Sequence, residues 1–225
     1  MRTHLGIPRW LVVGGSWGAT LALVHALDDP DAVSGLLLRA TFLARPGDIT
    51  SFFVGAAFSE DLAGADPRTV LDALATRLQH ADPDVRRACA LTWWRHEQQW
   101  SNPVPPSAAA TPADIDAQVD RYRVQAHYMR HGCWVQQPPL LARCAGLPVR
   151  PTLLLHGNED RICPPDGARA LHGLLPHARL HQVAGVGHDP SHPAMIDAMV
   201  HALDAFAAHG SFDEAAHRAR GEAAR

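Results

Sequence analysis

Residues 10–18 read WLVVGGSWG, and this stretch decides the fold. Its first four residues form a short apolar run with aromatic and β-branched side chains, a composition typical of a strand. Residues 19–27, ATLALVHAL, are helical in composition. The stretch therefore predicts a strand, a tight turn at Ser16 and a helix.

The same alternation of strands and helices continues outward from this stretch. DDPD at residues 28–31 ends the helix, and Val33–Leu38 is a second apolar strand, so the first forty residues fit a parallel βαβ unit. Further elements are predicted late in the chain: strands at 151–157 and 178–183, and helices at 166–175 and 193–208. The fold class predicted is α/β with a mostly parallel sheet.

Between these two α/β regions the pattern changes to helices separated by loops, with a Pro- and Ala-rich break at residues 102–112. We interpret residues 46–147 as a helical cap, inserted between the two parts of one core at 1–45 and 148–209. The tail, residues 210–225, has no apolar stripe and is predicted to fray or to form a loose terminal helix.

Composition and charge exclude several classes of protein. With 47% apolar and 19% charged residues and a mean hydropathy of −0.12, the chain is not a disordered tail, a collagen-like fibre or a membrane bundle. A net charge of −3 with scattered basic residues gives no electrostatic footprint for nucleic acid or an anionic membrane. Neither is predicted as a partner.

The cysteines and the N-terminal segment bear on the compartment. Cys89, Cys133, Cys144 and Cys163 are widely spaced and form no CxxC pair, which predicts reduced, buried thiols. The apolar N-terminal segment resembles a signal peptide in part, but the Gly and Ser residues at 14–18 interrupt it. We therefore predict a cytoplasmic location.

Residues 14–18, GGSWG, fit the pattern G-x-S-x-G. In a nucleophile elbow, small residues let a strand reverse sharply into a helix, so that the serine hydroxyl stands clear of the backbone. A Gly-Ser-Gly turn can also be a plain linker. Here it follows an apolar strand and precedes a helix, the context that the chemistry requires, so Ser16 is the candidate nucleophile.

A nucleophilic serine needs a base to take its proton and an acid to orient that base. Asp160 follows the strand at 151–157, and a carboxylate at the C-terminal end of that strand is expected in the same crevice as Ser16. His188 ends the Gly-rich turn GVGH after the next strand. Ser, then Asp, then His is the chain order of α/β-hydrolases.

These residues make the resemblance to a known family specific. The chain resembles the proline iminopeptidases (prolyl aminopeptidases) of the α/β-hydrolase superfamily over nearly its whole length. The resemblance implies an α/β-hydrolase fold with a helical cap, and removal of N-terminal proline from small peptides through a serine acyl-enzyme, without metal or organic cofactor. It is carried by GGSWGATLAL at 14–23, LLRATFL at 37–43, HGNEDRICP at 156–164 and GVGH at 185–188.

In that family the cap supplies acidic residues that hold the free amine of the substrate, in patterns such as W-x-x-W-E. Residues 93–97, WWRHE, keep this pattern with His96 in place of the second Trp. Glu97 is thus the implied amine ligand; the alternative is a solvated charge on a cap helix. Trp93, like Trp17 and Trp94, either forms an apolar wall for a prolyl ring or packs in the core.

A second family pattern, R-I-E-N-H-Y, corresponds to RVQAHY at residues 123–128 and places Gln125 where the family has Glu. A carboxylate neutralises a cationic imino group, whereas an amide offers only a dipole, and hydrogen bonds to charged partners are roughly twice as strong as neutral ones. Gln125 is therefore predicted to weaken or shift specificity at a substrate-binding position.

The largest departure from the family lies at the N-terminus. Family members carry an HGGPG-like loop that donates one oxyanion-hole N–H, and these 225 residues contain no such motif. The Trp17 N–H is the other implied donor, and loss of one donor typically costs about 10²–10³ in rate. The early strands of the family would flank residues 10–13, so this strand is expected to be an exposed edge, prone to aggregation. Either the start site is assigned too late, or the chain is a truncated relative.

Alternatives outside the leading hypothesis stay open. One is an esterase or amidase of the same fold, acting on a related small amide or ester, because the superfamily changes substrate through its cap. Another is a non-catalytic fragment that keeps the triad without the oxyanion loop. His127 and His131 lie at i and i+4 near Cys133, but no fourth ligand is evident, so no metal site is predicted.

Overall fold

The computed structural model describes residues 1–54, 58–101 and 111–212. The strands are β1 (Trp10–Gly15), β2 (Val33–Arg39), β3 (Thr152–Gly157) and β4 (Ala178–Val183). The α-helices are α1 (Trp17–Asp28), α2 (Pro46–Ser51), α3 (Pro67–Arg77), α4 (Pro83–Ser101), α5 (Pro112–Arg130), α6 (Leu140–Arg143), α7 (Asp166–Leu174) and α8 (Pro193–His209). Short 3-10 helices lie at Pro30–Ala32, Glu60–Leu62, Gly132–Trp134 and Cys144–Gly146.

The strands form a parallel sheet in the order β1-β2-β3-β4. β2 and β3 are neighbours in the sheet although residues 40–151 separate them in the chain. Every side chain of β3 is buried, as is nearly every one of β2, which explains why their sequences are continuously apolar rather than alternating. The predicted α/β fold with a mostly parallel sheet is confirmed.

Strand β1 lies at one end of this sheet. Within the described residues it pairs only with β2, and Val13 is 46% exposed. Its other apolar side chains are partly buried. The exposed edge expected from the sequence is therefore present in the described part of the chain, and an edge of this kind offers unpaired backbone groups to another strand.

The chain divides into two compact units. We call Met1–Leu43 with Leu140–Arg225 the core unit, and Ala44–Pro139 the helical unit. Residues 140–147, which the sequence analysis assigned to the cap, group with the core unit because Cys144–Gly146 contacts α1 and α7. The predictions for residues 102–110 and 213–225 fall outside the described residues.

Each unit has its own apolar interior. In the core unit, Leu37, Leu153 and Leu155 of the sheet pack with Met195 and Ala202 of α8. In the helical unit the ring of Trp93 is fully buried and stacks on Tyr122, with ring centroids 4.9 Å apart. The helical unit is thus a separately packed body with an aromatic centre.

The described cysteines form no disulfide and are buried thiols, as the sequence predicts. Burial raises the pKa of Cys89 to about 11 and that of Cys144 to about 12. These thiols are therefore protonated at neutral pH. Among the described helices, none combines the length and the apolar character needed to cross a bilayer.

Candidate active site

Ser16 occupies a sharp turn between β1 and α1. Its φ of 55° and ψ of −121° are a strained conformation for a residue with a side chain. A Cβ atom on Gly14 would lie 2.2 Å from the Gly18 carbonyl oxygen, so this turn requires glycine at position 14. The local geometry is that of the elbow expected from G-x-S-x-G.

Asp160 lies in the loop after β3, and both of its carboxylate oxygens are bonded. Oδ1 accepts the backbone N–H of Ile162 at 3.0 Å and that of Cys163 at 2.8 Å. Oδ2 accepts a hydrogen bond from Nδ1 of His188 at 2.8 Å. The Asp160 side chain is fully buried, so the loop fixes its orientation toward His188.

The loop that carries His188 is joined to the loop that carries Asp160. The N–H of Gly185 donates to Oδ1 of Asn158 at 2.8 Å, and the N–H of Glu159 donates to the Val186 carbonyl at 3.0 Å. A Cβ on Gly157 would lie 2.3 Å from that same carbonyl oxygen. The two loops are packed backbone against backbone, and glycine at 157 makes this possible.

Gly157→Ala is expected to push these loops apart. The added methyl would overpack a backbone contact, at a cost of about 1–3 kcal/mol in the free energy of unfolding, and hydrolytic activity would fall with it. Chemical denaturation and an activity assay measure both effects. Gly173→Ala on α7 is the control, because a Cβ there meets no atom within 4 Å; equal behaviour of the two variants would contradict the prediction.

The predicted triad residues all lie in the core unit, linked through Cys163. Ser16 Oγ lies 3.8 Å from Cys163 Sγ, and the Cys163 N–H is bonded to Asp160. No hydrogen bond joins Ser16 directly to His188. Catalytic hydrogen bonds are often long or misaligned in structures without substrate and tighten when it binds. The structure thus brings the three residues into one cluster and forms the Asp160–His188 bond within it.

Sequence analysis missed His156, the fifth residue of β3. Its ring is fully enclosed: Nδ1 accepts the N–H of Thr41 at 3.2 Å, and Nε2 lies 2.8 Å from the Cys163 carbonyl oxygen. Because Nδ1 accepts a hydrogen bond, it carries no hydrogen; Nε2 therefore carries the ring proton, and the ring is neutral. Burial lowers the pKa of His156. A histidine inside an apolar strand, just before the Asp160 loop, was the available signal.

The buried His156 predicts a pH dependence of stability. Its pKa lies below the ordinary value of 6.5, so below that pH the imidazole is protonated in the unfolded chain but stays neutral in the folded chain. The contribution of neutral His156 to the free energy of unfolding is present in full above pH 6.5. It is lost as the pH falls, by up to about 1.4 kcal/mol per pH unit. Denaturation between pH 7.5 and 5 should show a shallower slope for His156→Gln than for the wild type. His4→Gln, which removes an imidazole from an exposed position, is the control variant.

The predicted substrate-binding residues lie in the helical unit. Glu97 on α4 accepts hydrogen bonds from the Tyr122 hydroxyl at 2.5 Å and from Arg121 at 2.9 Å, and its side chain is 12% exposed. Burial, followed by the charge of Glu97, raises the pKa of Tyr122. Trp93 stacks on the same tyrosine, and Gln125, partly buried, follows one turn later on α5. Arg121 and Tyr122 are partners of Glu97 that sequence analysis missed.

His127 near the end of α5 and His131 just after it are the histidine pair with metal-ligand spacing. The rings of His127 and His131 lie 4.6 Å apart, and burial raises the pKa of Cys133 to about 11, which keeps its thiol protonated. Metal-binding cysteines are thiolates. No cluster of three or more His, Cys, Asp or Glu residues suited to a metal occurs in the described ranges.

Comparisons with known proteins bear on the fold and the family of the chain. A family model described as the alpha/beta hydrolase fold matches residues 1–193. A protein of Leptolyngbya boryana named "Probable proline iminopeptidase" is 33% identical over 220 residues, which are 92% of this chain and 68% of that protein. The proline iminopeptidase of Arabidopsis thaliana is 32% identical over 208 residues, 87% of this chain and 55% of that protein. The chain therefore spans between about half and two thirds of the length of these relatives.

Solved structures share the fold. An esterase from Exiguobacterium antarcticum superimposes with a TM-score of 0.54 and 17% identity over 91% of this chain and 69% of the esterase. At that identity the likeness establishes the shared architecture and carries nothing about substrate.

Proposed function

We propose that this chain, which belongs to the alpha/beta hydrolase fold family and is proline iminopeptidase-like, is a serine hydrolase. It acts through an acyl-enzyme. The observation that carries the proposal is the 2.8 Å hydrogen bond between His188 and the buried Asp160, in one cluster with Ser16 on its elbow. These residues supply the base, the orienting acid and the nucleophile of such a mechanism.

The hydrogen bond assigns the proton on the His188 ring. Because Asp160 accepts from Nδ1, that nitrogen carries the hydrogen, and Nε2 offers its lone pair. Nε2 takes the hydroxyl proton of Ser16 as the serine oxygen attacks the substrate carbonyl. Asp160 stabilises the imidazolium that forms, and its two bonds to backbone N–H groups keep it aimed at the ring.

The remaining steps follow from proton balance. The imidazolium passes its proton to the leaving amine, the carbon–nitrogen bond breaks, and the acyl group stays on Ser16. Water then attacks the acyl-enzyme, with Nε2 as base, and releases the acid while Ser16 recovers its proton. The N–H of Trp17, in the first turn of α1, is the proposed donor to the oxyanion, since the N-terminal turn of a helix favours negative charge.

The proposed substrate is a small peptide with an N-terminal proline, as the names of the relatives suggest. Glu97 is the proposed ligand for its free imino group. Arg121 and Tyr122 already bond this carboxylate, and Gln125 adds no second charge. We therefore expect a weaker preference for a cationic amine than a pair of unpaired carboxylates would give. Trp93, enclosed in the aromatic interior, would need to become exposed before it could contact a prolyl ring.

Hydrolysis of proline p-nitroanilide tests the proposal. Proline, alanine and N-acetylproline p-nitroanilides are compared, with Glu97→Gln beside the wild type. We expect the proline substrate to be cleaved faster than the alanine substrate and faster than the acetylated substrate. In Glu97→Gln the difference in rate between the proline and N-acetylproline substrates should be smaller than in the wild type. A folded wild type that cleaves none of these substrates, and is not labelled by a fluorophosphonate at Ser16, would refute a serine hydrolase.

A second candidate is an esterase or amidase whose substrate has no free amine. The pairing of Glu97 with Arg121 favours it, because a carboxylate that already has a cationic partner gains less from an ammonium group. Equal rates on proline and N-acetylproline p-nitroanilide, or cleavage of p-nitrophenyl acetate alone, would select this candidate.

A further inference from the structure

Arg39 is a buried cation at the centre of the core unit. It is the last residue of β2, lies between Gly15 of β1 and Leu155 of β3 in the sheet register, and is 8% exposed. A charged side chain is rarely enclosed to this degree unless its bonds are satisfied. The question is what this guanidinium holds.

The main chain and the side chain of Arg39 contact two different catalytic segments. Its carbonyl oxygen accepts the N–H of Ser16 at 2.9 Å. Its Nη1 donates to the carbonyl oxygen of His188 at 2.8 Å. One residue therefore bonds to the backbone of the proposed nucleophile and to that of the proposed base, which lie 172 positions apart in the chain.

The guanidinium also explains the second residue of the elbow motif. A Cβ on Gly15 would lie 2.8 Å from Nη2 of Arg39 and 2.9 Å from its Nε. Position 15 is a variable position in G-x-S-x-G, yet here any side chain would require the guanidinium of Arg39 to shift. The guanidinium thus packs directly against the strand end that carries Ser16.

The charges around the Arg39 guanidinium also favour its position near the Asp160 loop and the His188 loop. Burial lowers the pKa of Arg39, and the negative charges of Asp160 and Asp189 oppose that effect. These carboxylates flank His188 from the acid loop and from its own loop. The cation is therefore compensated by groups of the catalytic segments rather than by a distant ion pair.

We propose that Arg39 is a positioning residue, which holds the His188 backbone in register with Ser16 through its Nη1 hydrogen bond. This inference rests on the proposed function, because it assigns Arg39 a role in the reaction of those two residues. Without the bond, the His188 carbonyl would lose its hydrogen bond to the end of β2, while the hydrogen bonds between the His188 loop and the Asp160 loop would remain. The imidazole would then be misaligned toward Ser16 while the Asp160–Cys163 segment stays in place.

The test measures the rate at which a fluorophosphonate labels Ser16, a reaction that needs the base but no particular substrate. We compare Arg39→Met, Arg39→Lys and Arg39→Ala with the wild type. The control is Arg179→Met on β4, because Arg179 likewise donates to a main-chain carbonyl, that of Phe212, within the same unit. Melting temperatures identify any variant that is unfolded.

We expect Arg39→Met to slow labelling at saturating probe by roughly 10- to 100-fold, with little change in the probe concentration for half-saturation. Arg39→Lys keeps a cation with one donor nitrogen, and its labelling rate should lie between those of Arg39→Met and the wild type. Millimolar guanidinium added to the buffer should increase the labelling rate of Arg39→Ala and leave that of Arg179→Met unchanged. A role in packing alone predicts neither the rescue nor the intermediate rate of lysine.

Labelling of Arg39→Met at the wild-type rate would overturn the inference, as would a folded Arg39→Ala that does not respond to guanidinium. Should Arg39→Met fail to fold, Arg39→Lys decides: wild-type labelling counts against the role and reduced labelling supports it. An unlabelled, folded wild type would refute the proposed function instead. In that case the NMR resonance of the His188 Nδ1 proton gives an independent answer, since positioning predicts that its chemical shift changes in Arg39→Met and stays as in the wild type in Arg179→Met.

Discussion

Ser16→Ala should abolish both fluorophosphonate labelling and turnover, lowering kcat by roughly 10⁴–10⁶-fold. The hydroxyl oxygen of Ser16 is the atom that becomes acylated in the proposed mechanism, and alanine has no atom in its place. Among the hydroxyl groups of the described residues, that of Ser16 alone stands on a strained elbow, at φ 55°. No other hydroxyl group of the described residues is therefore expected to replace it.

The structure also predicts that this variant stays folded. The Ser16 side chain contributes one contact, with Cys163 Sγ at 3.8 Å, while the elbow itself is held by the backbone bond from Ser16 to Arg39. Alanine carries the same Cβ at the same positive φ, so the strain is unchanged. We expect the free energy of unfolding to change by no more than about 0.5 kcal/mol, as it does for most substitutions at a protein surface.

Measurement of kcat and of probe labelling, with circular dichroism on the same samples, checks both statements. Ser34→Ala on β2 serves as the control, because it removes a hydroxyl from the same sheet outside the candidate site. Turnover of Ser16→Ala within tenfold of the wild type would show that another group is the nucleophile.

Asp160→Asn is expected to lower kcat by about 10³–10⁴-fold with a smaller change in KM. An asparagine oxygen can keep the two backbone N–H bonds from Ile162 and Cys163, so the amide nitrogen would face His188. That nitrogen donates, and Nδ1 of His188 must then accept. The ring proton moves to Nε2, which can no longer take a proton from Ser16.

The same substitution should cost stability as well. Asp160 is buried and makes three hydrogen bonds, and bonds to a charged acceptor contribute about 1.5–3 kcal/mol each against about 1 for neutral ones. Asp166→Asn at the start of α7 is the matched control, since that carboxylate is exposed and pairs only with Arg169 among the described residues. A loss of kcat below tenfold for Asp160→Asn would argue against its orienting role.

The elbow, the Asp160 loop and the His188 loop could be predicted because each is encoded locally. Glycines around Ser16 and before His188, and an apolar strand ahead of Asp160, are signals within a few residues of the side chain concerned. The chain order of the three residues then indicated the fold. Local patterns of this kind determine the backbone conformation, and the positions of these three side chains depend on that conformation.

Arg39 could not be predicted as a neighbour of the triad. Its place is set by the register of β2 on β3, and nothing in the 112 residues between those strands specifies that register. In the helical unit, Glu97 was found from a motif, but its bonds to Arg121 and Tyr122 depend on how α4 packs on α5. Contacts between distant segments are decided by packing rather than by spacing.

The insertion between β2 and β3 has a consequence for biosynthesis. At about 5–20 residues per second, a ribosome needs roughly 5–20 s to deliver β3 after β2 has emerged. Throughout that interval residues 36–39, three leucines and Arg39, lack the strand that will pair with them. The nascent chain is then most exposed to pairing with neighbouring nascent chains, and a holding chaperone would have its greatest effect on yield at this stage.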